Sequence, residues 1–208
     1  SELMYNENYS YDGSATKTLR KHHISMANQI SERFKLKEKS LAIDIGSNAG
    51  VLLSGFQDKG MNVVGVDPSI NVANIARKKG IHVIGKFFSS ELAKKIKSEF
   101  GEASVITGTN VFAHIDDLND FFTAADILLS DKGVIVIEAP YLITLLDNLE
   151  YDTIYHEHLS YISLKPLNTF CKKIKMNVFD IEYNEIHGGS IRLFVGRDGI
   201  NEITKNVE

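Results

Sequence analysis

The sequence is poor in cysteine and in long apolar runs, and both shortages exclude whole classes of protein. Cys171 is the only cysteine among 208 residues, so neither a disulfide nor a cysteine zinc site can form within the chain. The apolar runs are too short to span a membrane, and the chain does not open with the basic and apolar stretches of a secretion signal. We therefore expect a cytoplasmic protein that does not bind membranes.

An excess of positive charge is also missing. The formal net charge is −4 and the sequence pI is about 6.0, so the chain lacks the basic field that gathers nucleic acid. We expect no nucleic-acid binding. Ser1 in place of an initiator Met is typical of a cloning remnant or of a truncated chain.

Length and composition predict one hydrophobic core. Single domains commonly run about 100 to 200 residues, and 43% of this chain is hydrophobic. We expect an N-terminal segment and helix over residues 1–37, one domain over residues 38–197, and a tail or truncated stump over residues 198–208.

A glycine loop, Asp-Ile-Gly-Ser-Asn-Ala-Gly at residues 44–50, is the most informative segment that is present. An apolar run at 41–43 precedes it and helical spacing follows at 51–56, which predicts strand, loop and helix. Gly46 and Gly50 would let backbone amides approach a ligand without an intervening Cβ, and the helix N-terminus adds partial positive charge.

Two acids around the loop separate two classes of cofactor. A dinucleotide fold uses G-x-G-x-x-G, whereas this loop reads acid-x-G-x-x-x-G. Asp44 can receive the ammonium of an amino-acid cofactor, and Asp67, at the end of the next predicted strand, can hold a pair of ribose hydroxyls. The loop resembles the S-adenosylmethionine loop of class I methyltransferases. A turn that only connects strand to helix is the alternative, which the position of Asp67 disfavours.

Strand and helix patterns alternate along the chain and predict an α/β fold. The closing pair of β-rich stretches suits the antiparallel edge of a class I methyltransferase (Rossmann-like) sheet, which is mostly parallel with helices on both faces. Strands are predicted at 41–45, 61–66, 81–84, 103–107, 134–138, 177–183 and 190–195, and helices at 16–34, 51–59, 71–79, 91–99, 118–130 and 165–175.

The densest polar stretch lies at residues 151–161, after the fifth predicted strand. It contains two histidines, two carboxylates and three tyrosines. Ligands of open α/β sheets bind beyond the carboxyl ends of the strands, where this stretch should lie. Because histidine exchanges a proton near neutral pH and a neighbouring carboxylate or phenol can orient it, a general base is expected here.

This stretch and a second one, His-Gly-Gly-Ser-Ile-Arg at residues 187–192, resemble the paired signatures of the S-adenosylmethionine-dependent sugar C-methyltransferases. The resemblance extends from about residue 4 to residue 197. It implies S-adenosylmethionine as the cofactor and a nucleotide-linked 4-keto sugar, methylated at C-3, as the small-molecule acceptor. It also implies a catalytic set with His158 as the base, supported by Glu157, Tyr155, His114 and Tyr9.

The expected cofactor site combines the glycine loop with residues that follow the second, third and fourth strands. Phe87 and Phe88 could flank an adenine or belong to the core. The full set is Asp44, Gly46, Ser47, Asn48, Gly50, Asp67, Pro68, Phe87, Phe88, Thr109 and Asn110.

The chain departs from this family in two respects. Family members usually carry an N-terminal zinc-binding domain with clustered cysteines and a further C-terminal domain, and both help to enclose the nucleotide-sugar. A smaller substrate, a truncated chain, or a surface borrowed from a second copy in a homodimer would each account for the difference.

The sequence leaves several alternatives open. His114, His156, His158 and Glu157 could ligate zinc or iron, although nothing in the sequence fixes a geometry, and we expect no metal. The 187–189 segment could be only a turn, and His22 and His23 read as helix-surface or core-edge residues. The base could instead deprotonate a hydroxyl, which would make an O-methyltransferase, or the chain could be an inactive cofactor-binding assembly domain.

Overall fold

Apolar residues fill both faces of the central strands, which is typical of a parallel sheet covered by helices on both sides. In the computed structural model, which describes residues 16–207, all five residues of β1 (Leu41–Ile45) are buried. The other strands are β2 (Asn62–Val66), β3 (His82–Ile84), β4 (Ala103–Thr109), β5 (Leu129–Pro140), β6 (Met176–Asn184) and β7 (Ser190–Arg197).

The seven strands form one sheet in the order β3-β2-β1-β4-β5-β7-β6. The strands from β3 to β5 pair in parallel, and β7 runs antiparallel to both of its neighbours. The order changes direction between β1 and β4, which is where open α/β sheets bind ligands. The predicted fold class, a mostly parallel sheet with an antiparallel closing pair, is confirmed.

Helices cover the two faces in separate groups. The helices are α1 (Lys17–Arg33), α2 (Val51–Gln57), α3 (Ile70–Lys78), α4 (Ser90–Phe100), α5 (Leu118–Leu128), α6 (Leu142–Asp147) and α7 (Leu164–Lys173). One hydrophobic cluster joins the sheet to α1, α2 and α3, and the other joins it to α4, α5 and α7.

Helix α1 packs closely on α2 and shares its core. Met26, Ala27 and Ile30 are buried in the same cluster as Phe56. A Cβ at Gly55 would collide with the Ala27 side chain, so glycine at this position allows the two helices to approach. The close contact places one face of α1 beside the glycine loop.

The structure corrects two element boundaries. The predicted helix over 118–130 ends at Leu128 and β5 begins at Leu129, with a register shift against β4 before Val134. The six-residue helix α6 was not predicted, because a short helix in which only Leu145 is buried has no apolar stripe to reveal it.

The segment after β7 contacts the sheet. The Thr204 amide donates to the Phe179 carbonyl at 2.8 Å, the Thr204 hydroxyl donates to Asp180, and Val207 packs against the core. Across residues 16–207, no helix combines the length and the apolar character needed to cross a membrane.

Candidate active site

The glycine loop turns sharply because three of its residues adopt positive φ. These are Gly46 (φ 69°), Asn48 (φ 48°) and Gly50 (φ 74°). A Cβ at Gly46 would press on Val111, which follows β4, and a Cβ at Gly50 would meet Ile81. Glycine at 46 therefore keeps the loop close to the end of β4, whereas glycine at 50 lets the start of α2 pack closely on Ile81 and on Ala76 of α3.

The amides of this loop are already paired within the chain, contrary to the expectation that they face a ligand. Each of the five amides at residues 46–50 has an acceptor in the chain. The Gly46 amide donates to the Val66 carbonyl and the Asn48 amide to Asp67 Oδ2, both at 2.8 Å. The loop therefore contributes its shape and holds Asp67, and does not present a row of free donors.

Asp67 is buried at the end of β2 and held from two sides. Its Oδ1 accepts from the Ser69 amide and its Oδ2 from the Asn48 amide, each at 2.8 Å. Burial raises its pKa, although these two hydrogen bonds act in the opposite direction. Each carboxylate oxygen keeps a second lone pair, so the fixed carboxylate can accept from two ligand hydroxyls.

Asp44, near the end of β1, is also buried. Its Oδ1 accepts a hydrogen bond from the Thr107 hydroxyl at 2.7 Å. Burial raises the pKa of Asp44 to about 7, and the hydrogen bond from Thr107 acts against this rise. A cationic group of a ligand beside Asp44 would favour its ionised form.

A cavity of about 370 Å³ connects these acids, which lies within the size range of small-molecule sites. Gly50 is not among the lining residues. Leu19, His23, Lys86 and Val111 line the cavity without having been predicted. Predicted residues that line it are Asp44, Gly46, Ser47, Asn48, Asp67, Pro68, Phe87, Phe88, Thr109, Asn110 and His114.

The two phenylalanines after β3 play different structural roles. Phe88 makes an edge-on contact with Phe121, with ring centroids 5.5 Å apart, and packs against the core. Phe87 is 40% exposed and lines the same cavity. Phe87 is therefore the ring with a face available to an adenine.

His158 has a defined tautomer because its Nδ1 faces a pure acceptor. Nδ1 lies 2.8 Å from the Thr153 carbonyl oxygen, so Nδ1 carries the proton of the neutral ring. The Nε2 lone pair then accepts from the Tyr155 hydroxyl at 2.9 Å. The structure thus presents His158 with a basic Nε2.

His114 connects His158 to the cavity. Its Nδ1 donates to the Glu157 carbonyl at 2.6 Å, its ring centroid lies 5.0 Å from that of His158, and it lines the cavity. Burial lowers the pKa of His114. The Leu159 amide donates to the Ala113 carbonyl at 2.8 Å, which docks the 151–161 segment on the end of β4.

The other predicted catalytic residues differ in their placement. Glu157 is half-buried beside His158, and Tyr155 is exposed except for its contact with that ring. Tyr9 lies outside the described residues. His156 is exposed, and within residues 16–207 no three histidine, cysteine or carboxylate side chains converge on a metal position. The zinc or iron alternative therefore has no geometric support there.

The second signature forms the turn between β6 and β7. His187, Gly188 and Gly189 all have positive φ, a conformation that favours glycine. Cβ atoms at the two glycines would collide with Glu150 and Thr144, so the turn packs against α6 and the start of the catalytic stretch. The residues of this turn therefore help to hold the 151–161 segment in place.

A buried charge cluster lies beside this turn and was missed by sequence reasoning. Glu138, at the end of β5, accepts from Arg192 Nε at 2.9 Å and from His22 Nε2 at 2.6 Å. Burial raises the pKa of Glu138, but its bonds to His22 and Arg192 outweigh burial and leave the pKa below its ordinary value. The available signal was an acid directly after the apolar run at residues 134–137.

The chain is similar in sequence to known methyltransferases. The chain matches the methyltransferase domain family over residues 20–178. It is 36% identical to the C-methyltransferase NovU of Streptomyces niveus over 186 residues, which cover 89% of this chain and 44% of NovU. It is 26% identical to an uncharacterized methyltransferase of Alkaliphilus oremlandii, over 71% of this chain and 70% of that protein.

The fold also matches solved methyltransferases. Magnesium protoporphyrin IX methyltransferase ChlM from Synechocystis PCC 6803, solved with bound SAH, superposes with a TM-score of 0.65 at 12% identity and covers 90% of each chain. The fold and the cavity define a class I S-adenosylmethionine-dependent methyltransferase.

The chain belongs to the methyltransferase domain family, and its cofactor is S-adenosylmethionine. The residues present fit this cofactor, because Asp67 suits a ribose diol and Asp44 suits an ammonium. The chain spans about 44% of the length of NovU.

Proposed function

We propose that the enzyme methylates the carbon next to the carbonyl group of a nucleotide-linked keto sugar or of a related small metabolite, with His158 as general base. The observation that carries this proposal is the basic Nε2 of His158, fixed by the bond from Nδ1 to the Thr153 carbonyl. The resemblance of the 151–161 and 187–192 segments to sugar C-methyltransferases and the 36% identity to NovU support transfer to carbon.

The proton would leave the acceptor before the carbon–carbon bond forms. His158 Nε2 takes the proton from the carbon next to the carbonyl, and the electron pair of the broken C–H bond forms an enolate on the acceptor. The bound cofactor supplies an electrophilic methyl group. As the enolate carbon bonds to that methyl group, the bond between the methyl carbon and the sulfonium sulfur would break, and the sulfur would leave as a neutral thioether. His158 then returns its proton to water.

Tyr155 would exchange partners during this step. In the structure its hydroxyl donates to His158 Nε2, and burial raises its pKa, so the phenol remains protonated at neutral pH. An acceptor carbonyl can receive the same hydrogen bond, which frees Nε2 and stabilises the developing oxyanion. His114 and Glu157 would hold the base in position, because the Glu157 carbonyl accepts from His114.

The donor would lie across the carboxyl ends of four strands. We assign the ribose hydroxyls to Asp67, the ammonium to Asp44 and an adenine face to Phe87, with Pro68, Phe88 and Thr109 in the walls. His114, in the wall of the cavity, would then lie between the donor and His158. The centroids of the two histidine rings are 5.0 Å apart. The proposed base would then lie on the acceptor side.

A labelled-product experiment tests the reaction type. The protein is incubated with methyl-labelled S-adenosylmethionine and a panel of nucleotide-linked keto sugars and smaller ketones, each deuterated next to the carbonyl. Carbon methylation adds one methyl group and removes one deuteron, which mass spectrometry detects. A methylated product that keeps all its deuterium would indicate O-methylation, and binding of the donor without any product would indicate an inactive assembly domain.

The partner proposal concerns the acceptor side of the site. Several large apolar side chains around the catalytic stretch are exposed, among them Leu146, Leu149 and Ile154. We propose that a second copy, in a cytoplasmic homodimer, covers this side when a large acceptor binds. Light scattering should then show a dimer, and a monomer that rapidly methylates small acceptors would contradict both the dimer and the nucleotide-sugar.

A further inference from the structure

His23, on α1, carries a buried polar atom whose bonding within the described chain is incomplete. Its Nε2 is shielded from solvent and has no hydrogen-bond partner among residues 16–207. Buried polar atoms almost always have partners, because an unpaired one loses its hydration without replacement. His23 has no part in the reaction proposed above, and the similarity to known methyltransferases gives it no role.

His23 lies in the wall of the cofactor cavity. His23 and Leu19 stand four residues apart on one face of α1, and both line the cavity together with Asp44. His23 therefore belongs to the wall formed by α1.

The strand order locates His23 at one particular end of this cavity. Phe87 follows β3 and Asp67 follows β2, at one side of the sheet. His23 lies near Glu138 of β5 and Arg192 of β7, whose charges affect its pKa. A donor with its adenine at Phe87 and its ribose at Asp67 extends over Asp44 of β1, so its amino-acid end reaches the side on which His23 lies.

Two unpaired atoms at this end match the two charges of an amino acid. Asn110, held in a left-handed conformation with its amide on the Glu138 carbonyl, has a buried Oδ1 without a partner among residues 16–207. This acceptor and Asp44 suit an ammonium. The amides at residues 46–50 are already bonded, so the carboxylate needs another donor.

We propose that His23 Nε2–H donates a hydrogen bond to the carboxylate of the methionine part of S-adenosylmethionine. His23 is then a binding residue that recognises whether the donor carries its carboxylate. Burial and the neighbouring His22 lower the pKa of His23 to about 4, so the ring is neutral at physiological pH and acts through its N–H group. Neighbouring Glu138 favours the charged ring and His187 and Arg192 oppose it.

Calorimetry with two ligands tests this proposal without any acceptor. S-adenosylhomocysteine carries the carboxylate, and its decarboxylated analogue, S-adenosyl-3-thiopropylamine, does not. His23→Ala should weaken binding of S-adenosylhomocysteine by about ten- to a hundredfold, as expected for the loss of a buried hydrogen-bond donor. The same substitution should leave the affinity for the analogue within about twofold, because the bond it removes is already missing there.

Two further variants keep the result interpretable. His23→Gln retains a side-chain N–H and should recover part of the affinity for S-adenosylhomocysteine. His82→Ala changes an exposed histidine on β3 that lies outside this cavity, and it should alter neither affinity. Equal losses of both ligands in His23→Ala and His23→Gln, or unchanged affinity for S-adenosylhomocysteine, would overturn the proposal.

Because S-adenosylhomocysteine binds without an acceptor, this experiment is independent of the reaction proposed above. A correct assignment of His23 would stand even if methylation occurred on oxygen.

Discussion

Two buried carboxylates at the ends of adjacent strands show how single residues shape this site. Asp44 and Asp67 both have pKa values raised by burial. Keeping these carboxyl groups ionised in the free protein therefore costs free energy. The partners that a bound donor would provide, an ammonium and a ribose diol, remove that cost. The acids are therefore better suited to a bound ligand than to the free protein.

Replacing Asp67 tests the ribose assignment. Asp67→Ala should weaken binding of S-adenosylhomocysteine by about 1 to 3 kcal/mol, since ribose hydroxyls would be left without their acceptor. Isothermal titration calorimetry measures this, with Asp58→Ala at the exposed end of α2 as the control. Unchanged affinity would remove Asp67 from the cofactor site.

The raised pKa of Asp44 predicts a pH dependence of cofactor binding. Below pH 7 the carboxyl becomes protonated and no longer attracts an ammonium, so affinity for S-adenosylhomocysteine should fall as pH falls through about 7 and level off above it. Asp44→Asn should abolish this slope. Affinity that is constant between pH 6 and 8 in the native protein would contradict the assignment of Asp44.

The same shift has the opposite sign for stability without a ligand. Because the folded pKa of Asp44 lies above its unfolded value of 3.8, the unfolded chain releases this proton first. The contribution of Asp44 to the free energy of unfolding should therefore decrease as pH rises from about 4 to 7.

Some residues of the candidate site could be predicted because their position in the strand pattern implies one kind of chemistry. Asp67 follows from its place after the second strand, and the cluster of His114, Tyr155 and His158 came from the family resemblance. His23 and Glu138 were not predictable in the same way, since nothing in a helix or strand pattern tells which polar residue will face a cavity. Only the folded contact between α1 and the sheet reveals them.

At the scale of elements, hydrophobic periodicity predicted the sheet and the larger helices. It failed at α6 and at the start of β5, where few residues are buried on one side and local pattern carries little information. The shape of the 151–161 segment was not predictable either, because it depends on hydrogen bonds such as that from the Leu159 amide to the Ala113 carbonyl, which join residues distant in sequence.

The charge cluster that joins α1 to β5 and β7 predicts a large effect on stability. Arg192→Ala should lower the free energy of unfolding by about 3 to 5 kcal/mol, because it leaves the Glu138 carboxylate buried with fewer partners. Urea unfolding measures the change. Lys95→Ala removes an exposed pair with Glu91 and should have no measurable effect, while an equally small effect of Arg192→Ala would show that the cluster contributes little.

At the scale of the whole molecule, the cavity that suits the methyl donor lies beside a surface with several exposed apolar residues. The chain spans 44% of the length of NovU. The geometry that is present, a basic nitrogen next to the donor cavity, supports proton removal from the acceptor as the central chemical event.

Exchange of an acceptor deuteron with water measures that event directly. A nucleotide-linked 4-keto sugar deuterated at C-3 is incubated with the protein and S-adenosylhomocysteine, which cannot donate a methyl group, and loss of deuterium is followed by mass spectrometry. Native protein should catalyse the loss, His158→Asn should slow it by about two to four orders of magnitude, and the exposed His156→Ala should change it little. Deuterium loss at the native rate in His158→Asn would contradict the assignment of His158 as the base.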